Sequence, residues 1–148
     1  MAAATELTSV ELNRDFGTAD RSVLGTLVHV FAADRLWLAR FQRETNPPYS
    51  SPADYHLSVL QNDWPLLYDR WRTWLGGVSD ESAAADFAYH DMKGRPWRQP
   101  LWQLVLHVVN HGTHHRGQVA GFLRALGRVP PPLDITVYYR ETSSSPAV

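Results

Sequence analysis

Thirteen residues, His107 to Val119, read HVVNHGTHHRGQV and hold four of the chain's seven histidines. Imidazole binds borderline divalent ions as a neutral donor, and it also moves protons near neutral pH. Spacing decides whether such residues can act together. At about 100° per residue, His107, His111 and His115 drift by only about 80° in total along a helix. His114 and Gln118 project onto the same side, whereas Arg116 points almost opposite His107.

Two histidines four apart on a helix can place ring nitrogens on one ion, as in HExxH sites. Here the pair is 107/111 or 111/115, and spacing does not choose between them. The glutamate of HExxH is missing, because Gly112 follows His111. The helix therefore offers ligands without a general base of that kind. Zinc and similar ions generally take a third protein ligand and keep an open position at catalytic sites. His29, inside the apolar run TLVHVFAAD, is the natural third ligand, since a bundle can turn one helix's residue toward a pair on another. A ligating imidazole usually donates its other N–H to an acceptor, and Asn110, Gln118 and Asp34 are candidates. A single histidine in an apolar seam is more often a hydrogen-bonded core residue. Four on one face, with a fifth on a separate helix, favour a metal site. His56 and His90 are expected in loops or at the surface.

The elements that must position these residues are legible from the same rows. TSVE, Thr8 to Glu11, fits a capping box that opens a short helix. The segment ADRSVLGTLVHVFAADRLWLARFQRE is long and periodic, with Val23, Leu27, Val30, Leu36, Leu38 and Phe41 able to form an apolar face. The prolines of TNPPYSSP stop it. A third element runs from about Ser58 to Leu75, with Ser58 and Gln61 as a second capping-box pair. Pro65 should kink or split it, and Gly76-Gly77 should end it. ADFAYHDMKGRPWRQP reads as an extended loop or small hairpin. The last long helix spans about Pro100 to Leu126, roughly 40 Å at 1.5 Å per residue, with Gly127 past its end. VPPPLD and a short apolar run follow. These elements predict an all-α bundle.

Within the long helices, Gly112, Gly117 and Gly121 suggest either close approach by a neighbour or plain tolerance. Six tryptophans are many for 148 residues; most should be core, with Trp37 the best candidate for a pocket wall. Arg116 suits either an anionic group or, as the favoured reading, a brace for a loop or a contact between copies.

Composition limits the remaining possibilities. At 148 residues one domain, 1–148, is expected. The formal net charge is -1 with no basic tract, which argues against nucleic acid as a partner, since phosphate binding needs concentrated positive charge. There are no cysteines, so disulfides and thiolate ligands are excluded, and any thiol chemistry must use a thiol supplied from outside. The N-terminus lacks a basic start followed by an apolar core, and no stretch approaches roughly 18 apolar residues. No membrane partner is expected, and the cytoplasm is the expected location.

Three stretches carry a resemblance: LVHVFAADRLWLARF, KGRPWRQPLWQLVLHVVNHGTHHRGQVAGFLRALG and PPLDITVYYR. The chain resembles the DinB family of helical bundles over nearly all its length from Leu7 onward. The resemblance implies a four-helix bundle of up-down-down-up connectivity, frequently a homodimer. It also implies a divalent metal on three histidines that correspond here to His29, His111 and His115, leaving His107 and His114 as neighbours of the site. Zinc, nickel and manganese are the candidate ions. Some relatives are thiol S-transferases, so a low-molecular-weight thiol cofactor and a small-molecule acceptor are implied. His107 and His114 are then candidate proton-transfer residues, and Trp37, Tyr89 and Gln118 candidate cofactor-binding residues. Metal-assisted hydrolysis, with Asp34 the only carboxylate to watch, and a non-catalytic metal-binding or stress-related role are the alternatives. Family members usually carry a complete first helix where this chain has AAATELTSVEL, so a short or incomplete first helix is expected, leaving apolar faces uncovered and favouring association.

Overall fold

In the computed structural model, residues 1–142 are described. Two short helices, α1 (Ala2–Thr5) and α2 (Ser9–Asn13), precede three long ones: α3 (Val23–Phe41), α4 (Leu57–Gly76) and α6 (Leu101–Ala125). A single-turn helix α5 (Asp80–Ala84) and an antiparallel hairpin, β1 (Asp86–His90) with β2 (Pro96–Pro100), separate α4 from α6. A last helix, α7 (Ile135–Thr142), follows. The expected all-α bundle is present, with a short first helix and the small hairpin before the last long helix.

The central helix is α3. Its apolar residues do not keep to one stripe: Val23, Val28, Phe31, Leu36 and Leu38 are all buried, and Ala32 is fully so. A helix apolar on most sides must be enclosed, and α2, α4 and α6 all pack on it. Ser22 caps it by accepting from the Gly25 amide at 3.0 Å. α4 buries Leu60, Trp64, Leu67 and Trp71, a single stripe at helical spacing. Phe41 joins the layers, with its ring stacked 4.8 Å from Trp74 and edge-on to Trp71 and Phe87.

The Thr8–Glu11 capping box forms as expected, with Glu11 Oε2 accepting from the Thr8 amide at 2.8 Å. Glu11 also accepts from Arg128 at 2.8 Å, which ties α2 to the far end of α6. Two expectations for α4 fail. The Ser58–Gln61 box is not made; the helix begins one residue earlier, after His56, with no side-chain cap. The local capping geometry sits upstream instead, where Asp54 accepts from the Ser51 amide at 2.7 Å. Pro65 does not split the helix, which runs unbroken from Leu57 to Gly76. Burial of Trp64, Leu67 and Trp71 on α3 outweighs the lost backbone bond, a case of packing overriding propensity.

At the hairpin, Asp91 closes the turn by accepting from the Lys93 and Arg95 amides, and Gly94 takes the left-handed φ of 76°. β2 runs directly into α6, with Pro100 in the N-cap position. α6 ends as expected: Gly127 adopts φ 73° while the Arg128 amide reaches back to the Leu123 carbonyl at 2.8 Å.

Candidate metal centre

α3 and α6 lie against each other, and this brings His29 to the face carrying His111 and His115. One ligand nitrogen of each lies within 4.8 Å of the other two. His29 Nε2 and His111 Nε2 are 2.9 Å apart. The His115 ring stands edge-on to both, with centroids 4.4 Å away.

The outward nitrogens are held from behind. The Tyr49 hydroxyl lies 2.9 Å from His29 Nδ1 and can donate to the His29 carbonyl at 3.5 Å. Burial, with Asp20 and Tyr55 adding to it, pushes the Tyr49 phenol up to about 12. It therefore remains a neutral hydroxyl that can accept the Nδ1 proton while donating its own. Gln118 Oε1 lies 2.6 Å from His115 Nδ1. An amide oxygen only accepts, so Nδ1 of His115 carries the proton. Asp20 lies across both, 3.5 Å from His29 Nδ1 and 3.9 Å from His115 Nδ1. These partners assign the His29 and His115 rings the tautomer that leaves the Nε2 lone pair inward, the arrangement that outer partners impose on ligating histidines.

The donor set fits a divalent cation. Inward lone pairs 2.9 Å apart repel unless a proton or a cation lies between them. Tetrahedral zinc at 2.0–2.1 Å from nitrogen would set ligand nitrogens about 3.3 Å apart, a few tenths of an ångström beyond the present separation. Burial, reinforced by the four histidines around it, lowers His111 to about 4. Burial also lowers His29, against the opposing pull of Asp20. Both are thus neutral at physiological pH, the form that binds metal.

Three local features build this site. Gly25 is the first: a Cβ there would stand 2.1 Å from the Asp20 carbonyl oxygen. Only a residue without a side chain lets the Asp20 loop fold back over the first turn of α3 and bring its carboxylate to His29. Phe16 then fixes the same loop to α6 by stacking on Phe122 at 4.4 Å. Arg35 is the third. It binds both oxygens of Asp54, at 3.2 and 3.1 Å, and the carbonyls of Pro48 and Tyr49 at 3.2 and 3.3 Å. One guanidinium thereby pins the loop that carries Tyr49.

The other expected residues fall into two groups. His107 and His114 are exposed at the rim, with rings 5.9 Å from His111 and 4.9 Å from His115. Trp37 lies 5.5 Å from the His107 ring and 5.2 Å from Tyr89, whose hydroxyl donates to Gln99. Arg40 stacks over both Trp37 and Tyr89. Gln118 is at the centre, as a partner of His115. Asp34 is not at the centre. It turns to the opposite side of α3 and accepts from Trp64 Nε1 at 3.1 Å. Asn110 is exposed, as are His56 and His90. Asp20 and Tyr49 were missed by sequence reasoning. Both lie in loops, where periodicity carries no signal; only Gly25, a glycine in a helix's first turn, hinted at a close approach.

A family model described as the DinB family matches residues 1–146. The chain belongs to the DinB family. It is similar to Protein DinB of Bacillus subtilis (strain 168), 42% identical over 134 residues that cover 85% of this chain and 77% of that one. Among solved structures it is similar to a DinB-like protein from Bacillus cereus ATCC 10987, with a TM-score of 0.65 at 19% identity, covering 88% of this chain and 85% of the other. The second likeness concerns the fold. The DinB chain described here therefore combines a helix-bundle fold with a three-histidine cluster suited to a divalent ion. No helix among the described residues is long and apolar enough to cross a membrane.

Proposed function

We propose that this DinB chain is a divalent-metal-dependent enzyme of the thiol S-transferase type, with His29, His111 and His115 holding the ion. The observation that carries this reading is the convergence of three imidazoles from two helices, with the backs of His29 and His115 held by Tyr49 and Gln118. Three protein ligands leave a coordination position for a reactant. Zinc and nickel suit an imidazole set, manganese prefers oxygen donors, and geometry, ligand type and availability together choose among the three. A divalent ion in that position lowers the pKa of a thiol and keeps it as the nucleophilic thiolate at neutral pH.

The remaining work falls to the chain. Tyr49, Gln118 and Asp20 hold protons on the outer ring nitrogens and fix the direction of the inner ones. His107 and His114, exposed beside the cluster, exchange protons with the incoming thiol or the departing product. Trp37 and Tyr89 offer an aromatic wall on the acceptor side. The thiol is a low-molecular-weight cofactor, in keeping with a chain that has no cysteine of its own.

The test is a screen of the metal-loaded protein against several low-molecular-weight thiols with one generic electrophile. Transfer should vanish on chelation and return with metal. Transfer that persists after verified metal removal would sink the mechanism. Metal-assisted hydrolysis is the second reading, since the same open position would take water in place of a thiol. Turnover of an ester or amide without any thiol would select it. An ion whose every position is taken by the polypeptide would instead indicate a binding or stress-related role.

A further inference from the structure

Arg40 lies on the same side of α3 as His29. It follows His29 by eleven residues, which brings the helix back to within about 20° of the same direction, roughly 16 Å further along the axis. The rim of the metal centre runs the same way. The His107 ring is 5.9 Å from His111, Trp37 is 5.5 Å from His107, and the Arg40 guanidinium carbon is 4.8 Å from the Trp37 ring centre. Tyr89 of the hairpin closes the far end, 5.2 Å from Trp37 and 5.8 Å from the guanidinium. A strip of rings thus leads from the three imidazoles to a cation. His107 is exposed, and Trp37, Tyr89 and Arg40 are half-buried, so solvent reaches the strip along its length.

Among the described residues, no oxygen accepts from this guanidinium. Its Nε is buried without a partner, and Nη2 meets only the Met92 sulfur at 3.8 Å. Its neighbours differ. Arg43 donates to the Ala88 carbonyl at 2.8 Å, and Arg95 to Asp91 at 2.7 Å. Asp91 is the carboxylate whose charge acts on Arg40, but both its oxygens are taken. Oδ1 accepts from the Lys93 and Arg95 amides, and Oδ2 from Arg95 Nε and Trp97 Nε1. Thioether sulfur is a weak acceptor, and Met92 is 66% exposed, so it yields readily to an oxygen. A guanidinium stacked on aromatic rings has its plane fixed and its N–H edge free, and that edge fits a carboxylate. A plain brace to the hairpin would instead use a hairpin carbonyl, as Arg43 does.

We propose that Arg40 receives the carboxylate of a reactant whose reactive end lies at the imidazoles, so that the site selects an acidic reactant over a neutral one. The inference deepens the proposed function and rests on it for what occupies the imidazole end. The carboxylate can belong to the thiol or to its acceptor, and the chemistry Arg40 reads is the same. Length sets the size of that reactant. Helical side chains lean toward the N-terminus, so the guanidinium sits back over Trp37, and a span of roughly 10–12 Å remains to the imidazoles. A six-carbon acid with its reactive atom at the far end bridges it. The half-buried rings of Trp37 and Tyr89 lie along its apolar stem.

The first arm of the test needs neither metal nor thiol. Hexanoate and hexanol are titrated into the metal-free protein, and heteronuclear NMR follows the Arg40 Nε–H signal, assigned by its loss in Arg40→Gln. The acid should move that signal and the alcohol should not. The second arm uses the zinc-loaded protein in a transfer assay. Acid and alcohol forms of a six-carbon thiol are compared with a neutral acceptor, then acid and alcohol forms of a six-carbon alkyl bromide with a neutral thiol. One pair should show a preference for the acid of about 10-fold or more in kcat/KM, carried by KM; that pair names the reactant. Arg40→Gln should erase the preference, and Arg40→Lys, which keeps the charge without the fork, should retain part of it. Zinc affinity should be the same in both variants, about three turns from His29, which separates lost recognition from a damaged site. The proposal is overturned if hexanoate leaves the Nε–H signal where hexanol does, or if an acid preference survives Arg40→Gln. A signal that moves with hexanoate in a protein that transfers nothing upholds Arg40 as the carboxylate site and defeats the thiol-transfer reading instead.

Discussion

The two flanks of α6 use different physics. On one flank, His111 and His115 face His29, and the polar atoms behind His29 and His115 have partners at 2.9 and 2.6 Å. On the other flank, Val105, Val109, Gly112 and Arg116 face a groove that is apolar and open. The first flank is ordered by directional hydrogen bonds, which position atoms to a few tenths of an ångström. The second is defined by shape and exposed apolar area, which attract without specifying. The single helix therefore serves a precise site and an unspecialised surface 100° or so around its axis.

The sharpest way to break this contrast is to remove the central imidazole. His111→Ala deletes one of three ligands and should weaken divalent-metal affinity well beyond the roughly 10–100-fold that loss of an outer partner costs. Competitive titration of the apo protein measures it. Unchanged affinity would refute the site, whereas the groove should be indifferent to this substitution.

The largest effect on the groove flank concerns stability. Asp34 is buried in the floor, and burial raises its carboxyl to about 6, against the hydrogen bond from Trp64. Its folded value is above its unfolded one, so the folded state holds the extra proton between pH 4 and 6. Stability is therefore withdrawn as pH rises through that window. Asp34→Asn keeps an acceptor for Trp64 and removes the titration. The stability difference between variant and parent should move in the variant's favour by on the order of 2–3 kcal/mol from pH 4 to pH 7. Urea unfolding at the two pH values reads this directly. A constant difference would show that Asp34 is not held in a dry floor.

How far the sequence revealed each flank follows from the same physics. The histidines were visible because helical periodicity projects residues four apart onto one side, and α3 could be recognised as the helix bringing His29. Which pair on α6 was meant came from resemblance rather than spacing. Asp20 and Tyr49 were invisible, because their positions depend on a loop folding over Gly25 and on Arg35 binding Asp54 some nineteen residues away. Asp34 was misplaced for a related reason: five residues beyond His29 is more than a turn, and that offset turns the carboxylate to the opposite flank. The walls of the groove, Tyr68, Leu75 and Val109, look in sequence like ordinary members of amphipathic stripes.

The smallest effects separate histidines that are held from those that are merely near. Tyr49→Phe removes the hydroxyl behind His29 Nδ1 and keeps the ring. His29 then has only Asp20, at 3.5 Å, to accept that proton. Metal affinity should fall by about 10-fold, the lower end for an outer partner, because one acceptor remains. His107→Ala should leave affinity within about 2-fold, since the His107 ring is 5.9 Å from His111 and exposed, and an exposed neighbour contributes little through water. If His107 is the proton-transfer residue, the same variant should slow thiol transfer while metal binding holds. A His107→Ala protein that binds metal as poorly as Tyr49→Phe would mean that the ion sits nearer the N-terminal end of α6, on the 107/111 pair, and that His115 with Gln118 is the bystander.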